Sequence, residues 1–301
     1  MAFAIVNGLL AKATAHAHMP QAAQTLHVID PNPQAATRFG PQIPCTAEWP
    51  TGLQAEQVVL AVKPQMMQAV LTQYKTQLQG TLLISIAAGV RVEQLQNWSG
   101  QPQAPVARVM PNTPALVGQG MTGIYFTPHC TSTQRQSVQT MFEACGQTML
   151  LEEEQQINAL TAISGSGPGY VFFLMEALQN AAQSLGFAPA QAHKLVTQTF
   201  LGAATLACQS PEPLSTLREN VTSKGGTTFA GLEVLRKAGV EKALHQAAQQ
   251  ALARAIECKN KVLIKRMRNQ EGRSVWVSLI ICTLPFAEIS KTAVPSLKLT
   301  R

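Results

Sequence analysis

Charge and aromatic rings are scarce in this 301-residue chain: Asp, Glu, Lys and Arg make up 13% and Phe, Trp and Tyr 5%, against 46% hydrophobic. So little charge on so apolar a chain excludes wholesale disorder and leaves enough material for two buried cores. Paired cysteines are also lacking. Cys45, Cys130, Cys145, Cys208, Cys258 and Cys282 are far apart, and no two have metal or redox spacing. They read as free thiols of a cytoplasmic protein. His16 and His18 stand close in an Ala-rich stretch, but two ligands do not make a metal site, and none is expected. The N-terminus lacks the ordered pattern of a secretion signal. The run Val275 to Ile281 is too short to cross a bilayer. Repeats and low-complexity linkers are missing too.

The net charge of +7 is unevenly spread. Residues 259–301 carry nine of the 23 basic side chains and two of the 16 acids, so the body before them is neutral. A basic tail can meet nucleic acid, but this one lacks interleaved aromatics and any reading module, so neither a nucleic-acid nor a membrane partner is expected.

Up to residue 154 short apolar strands alternate with helices. Strands are expected at Leu26–Asp30, Gln57–Val62, Thr81–Ala87, Val106–Met110, Thr122–Phe126 and Thr148–Leu151. Helices are expected at 1–14, Gln65–Leu78, Arg91–Trp98 and Ser132–Cys145. This alternation predicts an α/β fold, a Rossmann-type parallel sheet covered on both faces. From residue 155 to 258 only helices are expected, opened by Pro168 and Pro189 and broken at Gly186 and Gly239. Val171, Phe172, Leu174, Met175 and Leu178 cover more than one face of the first long helix. Such a helix must be buried, so an all-α dimerisation domain is expected. The organisation is therefore 1–154 for the nucleotide, 155–258 for dimerisation and substrate, and 259–301 as an atypical basic tail.

Four loops follow strand ends, where open parallel sheets bind ligands. They are Asp30-Pro31-Asn32-Pro33, Ala61-Val62-Lys63-Pro64, Ala87-Ala88-Gly89 and Met110-Pro111-Asn112-Thr113-Pro114. A fifth element is Val221-Thr222-Ser223-Lys224-Gly225-Gly226-Thr227-Thr228, placed between two helices. Adjacent glycines bring bare N–H groups close to a ligand, and the helix N-terminus that follows favours a carboxylate or phosphate.

That loop, with Pro213 and Leu217 upstream and Leu235 downstream, resembles the signature of the pyrroline-5-carboxylate reductase family. The four strand-end loops and Ser164-Gly165-Ser166-Gly167-Pro168 extend the resemblance over residues 1 to 258. It implies an NAD(P)H-dependent oxidoreductase of proline biosynthesis, converting the cyclic imine 1-pyrroline-5-carboxylate to L-proline, and a homodimer at least. It implies substrate contacts at Gly225, Gly226, Thr227 and Thr228, with Thr228 as the catalytic hydroxyl. It implies cofactor contacts at Asp30, Asn32, Ala61, Val62, Lys63, Pro64, Ala88, Gly89 and Asn112. An acid such as Asp30 usually suits the ribose hydroxyls of NAD(H), whereas Asn32 and Arg38 can serve the extra phosphate. The family's habit makes NADP(H) the expected cofactor and NAD(H) the alternative.

Two departures stand against the family pattern. The strand and Gly-rich turn that should precede the first helix are missing, and the expectation is that the natural start lies upstream. Without them the central strand of the sheet is expected to be absent and its neighbours to lose ladder partners. After Cys258 family-like sequence fades, and the tail is expected to be partly disordered and without function. One alternative is a dimerising pseudoenzyme that lacks its cofactor turn. Another is a dehydrogenase of the 3-hydroxyacid type, but Tyr170–Glu176 offers none of the lysine that resemblance would need.

Overall fold

A computed structural model describes residues 1–15, 26–32, 34–264 and 278–282. The His16/His18 pair, Pro33 and the basic residues of 265–277 and 283–301 lie outside the described residues. By backbone contacts the chain forms two units, Met1–Gly165 with Leu252–Arg301, and Ser166–Ala251.

The first unit opens with helix α1 (Ala2–Ala15), followed by β1 (Leu26–Ile29), α2 (Ala35–Phe39), β2 (Cys45–Thr46) and β3 (Gln57–Ala61). Then come α3 (Met67–Gln73), β4 (Leu82–Ser85), α4 (Val92–Ser99), β5 (Val106–Met110), β6 (Gly120–Phe126), α5 (Ser132–Glu143) and β7 (Gly146–Leu151). Helix α6 (Gln156–Leu160) runs into a π-helical turn, Thr161–Gly165. The strands are apolar on both faces because both are covered, and their side chains alternate between two cores. Val59, Ile84 and Val109 pack with Ile5, Val6 and Leu9 of α1 and with Val138, Met141 and Phe142 of α5. Val58, Leu60 and Leu83 pack on the other side with Met67, Val70 and Leu71 of α3 and Leu95 of α4. The two-residue β2 and five-residue α2 are too short to leave a periodic signal in the sequence.

The sheet order is β2-β1-β8-β3-β4-β5-β6-β7, where β8 is Ser278–Cys282. β1–β2, β3–β4, β4–β5 and β6–β7 are parallel, and β5–β6 is antiparallel. β8 is antiparallel to both neighbours: Ile280 stands opposite Val28 on one side and Val59 on the other. This corrects one expectation. The place between β1 and β3 is not empty and those strands keep ladder partners, because a segment of the tail fills it. The physical reason is that β1 and β3 otherwise expose two rows of backbone N–H and C=O groups. Ile280 and Ile281 are β-branched residues of the kind enriched in strands.

The second unit is helical. It contains α7 (Gly167–Ser184), α8 (Pro189–Gln209), α9 (Leu214–Asn220), α10 (Thr227–Lys237) and the first half of α11 (Val240–Ile264), up to Ala251. Pro168 and Pro189 sit in the first turns of α7 and α8, where a missing N–H costs nothing. Among the described residues of this unit only Ala192 and Val196 are buried.

Candidate functional site

The ends of β1, β3, β4 and β5 point the same way, so the loops that follow them share one edge of the sheet. After β1, Asp30 is buried, and its Oδ1 accepts the Asn32 N–H at 3.0 Å. Asn32 in turn accepts the Gln34 N–H on its Oδ1 at 2.9 Å and starts α2. Arg38 of α2 lies near enough to the Met1 amino group to oppose its protonation, although burial is the larger cause of that lowered pKa. The start of α1 therefore stands beside the loop after β1. The N–H groups of a helix's first turn have no acceptor within the helix and favour anions.

After β3, Ala61 and Val62 carry the chain to Lys63, which is exposed, and Pro64 opens a short 3₁₀ turn. After β4 the chain reaches Ala88, which is exposed, and Gly89, whose φ of +80° is open to glycine at little cost. Arg91 then caps α4, its N–H donating to Gln94 Oε1 at 2.9 Å. After β5, the Asn112 amide is committed inward. Its Nδ2 donates to the carbonyl and hydroxyl oxygens of Ser164, both at 3.2 Å, and its Oδ1 accepts the Met121 N–H at 2.9 Å. Asn112 thus ties the loop after β5 to the π-helical turn, a geometry often found at functional sites.

The second unit presents the Gly-Gly turn. Gly225 has φ +73° and Gly226 caps α10, its N–H donating to Ser223 O at 3.0 Å. A Cβ on Gly226 would collide with the Ser223 hydroxyl. Thr227 and Thr228 are exposed in the first turn of α10, where unpaired backbone N–H groups face outward. Lys224 is exposed beside them.

Two functional candidates escaped the sequence reading. Arg108, in the middle of β5, is 2% exposed, and its Nη1 donates to Glu154 Oε1 at 2.7 Å. Burial pulls the Arg108 pKa down and Glu154 opposes that shift. The available signal was one arginine inside an apolar strand, a residue almost never buried without a partner. Among the described residues, no three His, Cys, Asp or Glu side chains are grouped to hold a metal, and no helix is long and apolar enough to cross a membrane.

Sheet, strand-end loops and an added helical unit define a Rossmann-type nucleotide-dependent oxidoreductase. Comparison with known proteins narrows the class. A family model described as pyrroline-5-carboxylate reductase dimerisation matches residues 154–258, and one described as NADP oxidoreductase, coenzyme F420-dependent, matches residues 1–89. The pyrroline-5-carboxylate reductase of Haemophilus influenzae is 40% identical over 261 residues, which cover 85% of this chain and 93% of the relative. That of Pseudomonas aeruginosa is 42% identical over 67% of this chain and 74% of its own length. Among solved structures, a pyrroline-5-carboxylate reductase from Coxiella burnetii superposes with a TM-score of 0.77 at 33% identity, covering 85% of this chain and 95% of that one. A Plasmodium falciparum enzyme with NADP bound gives 0.62 at 32% identity, covering 67% and 80%. The chain belongs to the pyrroline-5-carboxylate reductase family.

Proposed function

We propose that the chain reduces 1-pyrroline-5-carboxylate to L-proline with NADP(H), as a cytoplasmic homodimer. The observation that carries this reading is the Gly225-Gly226 turn, which opens α10 with two threonines in its first turn. The substrate carboxylate suits the outward N–H groups of that turn, and Gly225 and Gly226 leave room for it. The Thr228 hydroxyl hydrogen-bonds the ring nitrogen, or relays to it a proton taken up from solvent as the amine forms. Lys224 adds positive field on the same side.

The residues of the first unit fit a dinucleotide in part. Asp30, Asn32 and Arg38 would meet the ribose and phosphate, Ala61 to Pro64 the middle of the dinucleotide, and Ala88, Gly89 and Asn112 the nicotinamide, since all follow strand ends on one edge of the sheet. A bound reduced nicotinamide supplies the hydride. The chain's part is to hold the imine carbon in reach and keep the ring nitrogen hydrogen-bonded. Relatives with this name and the NADP-bound Plasmodium structure support the choice of cofactor.

A second reading, a dimerising protein with impaired catalysis, is favoured by one observation. β8 holds the place between β1 and β3 and runs antiparallel to both, so its own C-terminal end lies at the opposite edge of the sheet from the strand-end loops. Titrating the purified chain with NADPH while following its fluorescence separates the two readings, because the impaired form does not bind. For the site itself, Thr228→Ala should lower turnover roughly a hundredfold with cofactor affinity nearly kept. Unchanged turnover would remove Thr228 from the mechanism.

A further inference from the structure

Glu154 is not among the cofactor or substrate contacts named above, yet one of its oxygens holds two elements together. Its Oε1 accepts Arg108 Nη1 from β5 at 2.7 Å and the Val92 backbone N–H at 2.8 Å. Val92 is the first residue of α4, so its N–H has no acceptor within the helix. The loop 86–91 is therefore anchored at one end by β4 and at the other by a carboxylate brought in from the segment after β7. Arg108 is too buried to serve solvent, and its pairing fixes where that carboxylate sits. The side chain of Arg91, next to Val92, is by contrast exposed and within 3.9 Å of Glu93, a surface pair of little consequence.

We propose that Glu154, held by Arg108, is a positioning residue for the reductase reaction, fixing the loop Ala87-Ala88-Gly89 through the Val92 N–H. The inference rests on the reading that this loop faces the nicotinamide. A loop free to shift by an ångström would cost turnover rather than substrate affinity, since a displacement of that size can cost about a hundredfold in rate.

Removing Glu154 alone strands the Arg108 charge in the core and can unfold the domain. The test therefore compares two paired variants, Arg108→Met with Glu154→Gln and Arg108→Met with Glu154→Leu. Both eliminate the ion pair and keep the volume of residue 154, but only glutamine still accepts from Val92. The glutamine pair should keep kcat within threefold of the parent chain. The leucine pair should lose about tenfold or more, with KM for the imino acid changed less than twofold. Equal kcat in the two would overturn the proposal. A parent chain without turnover would instead sink the reductase reading, and amide hydrogen exchange at Val92 then decides: protection kept with glutamine and lost at least tenfold with leucine supports the anchor, and equal protection refutes it. A Val92 amide that exchanges at the unprotected rate in the parent chain refutes it with no variant at all.

Discussion

The two units bury their apolar side chains in opposite ways. In the first, Val58, Val59, Leu60, Leu82, Leu83 and Ile84 are wholly enclosed by its own helices. In the second, Phe172 and Phe173 of α7 are 64% and 69% exposed, and Leu201, Leu206 and Val234 lie open as well. One unit completes its core within a single chain. The other is half of a core, because exposed large apolar side chains in that number mark an interaction face. The match to a dimerisation family over residues 154–258 gives that face its occupant, a second copy.

The comparison can be broken most forcefully at α7. Phe172→Glu combined with Phe173→Glu should turn the dimer into monomer, raising the dissociation constant roughly a thousandfold, because an unpaired carboxylate in an apolar interface costs several kcal/mol. Light scattering across a dilution series reads this, and a dimer that survives would mean the face is covered some other way. The self-sufficiency of the first unit is tested at Ile280→Pro. Proline cannot donate to a ladder, and one buried acceptor left unpaired costs about 1–3 kcal/mol. The melting temperature should drop by roughly 4–10 °C. No drop would show that β8 leaves the sheet in solution. The smallest effect concerns His27, which bonds Thr46 at 2.8 Å and whose pKa burial holds below 6.5. The unfolded chain takes up a proton before the folded one, so stability should decline as pH falls below about 6.5 and be unaffected above it. His27→Gln should flatten that acid slope in denaturant titrations at pH 5.5 and 7.5.

Much of this fold was legible in the sequence because its signals are local. Val58 to Val62 could only be a strand covered on both faces, and Pro168, Gly186, Pro189 and Gly239 marked helix limits within a residue or two. The Gly-Gly-Thr-Thr loop and the strand-end loops were visible for the same reason. What stayed hidden depends on partners far along the chain. The Arg108–Glu154 pair spans 46 residues, and neither residue alone declares the other. The inward commitment of the Asn112 amide depends on Ser164, 52 residues away. β8 was the plainest omission. Its apolar run and the gap left by the missing first strand were both visible, but nothing local to the run says that it fills a gap about two hundred and fifty residues away.

The position of β8 also sets an order of events during synthesis. Val28 and Val59 leave the ribosome long before Ile280, their shared neighbour, which is about two hundred and fifty residues behind the first of them, so this pairing has very high contact order. Until then the nascent sheet carries a cleft with two bare edges, open to chaperones or to other nascent chains. The helical unit, built from local contacts, can form while that cleft still waits, which makes the N-terminal unit the last to be finished.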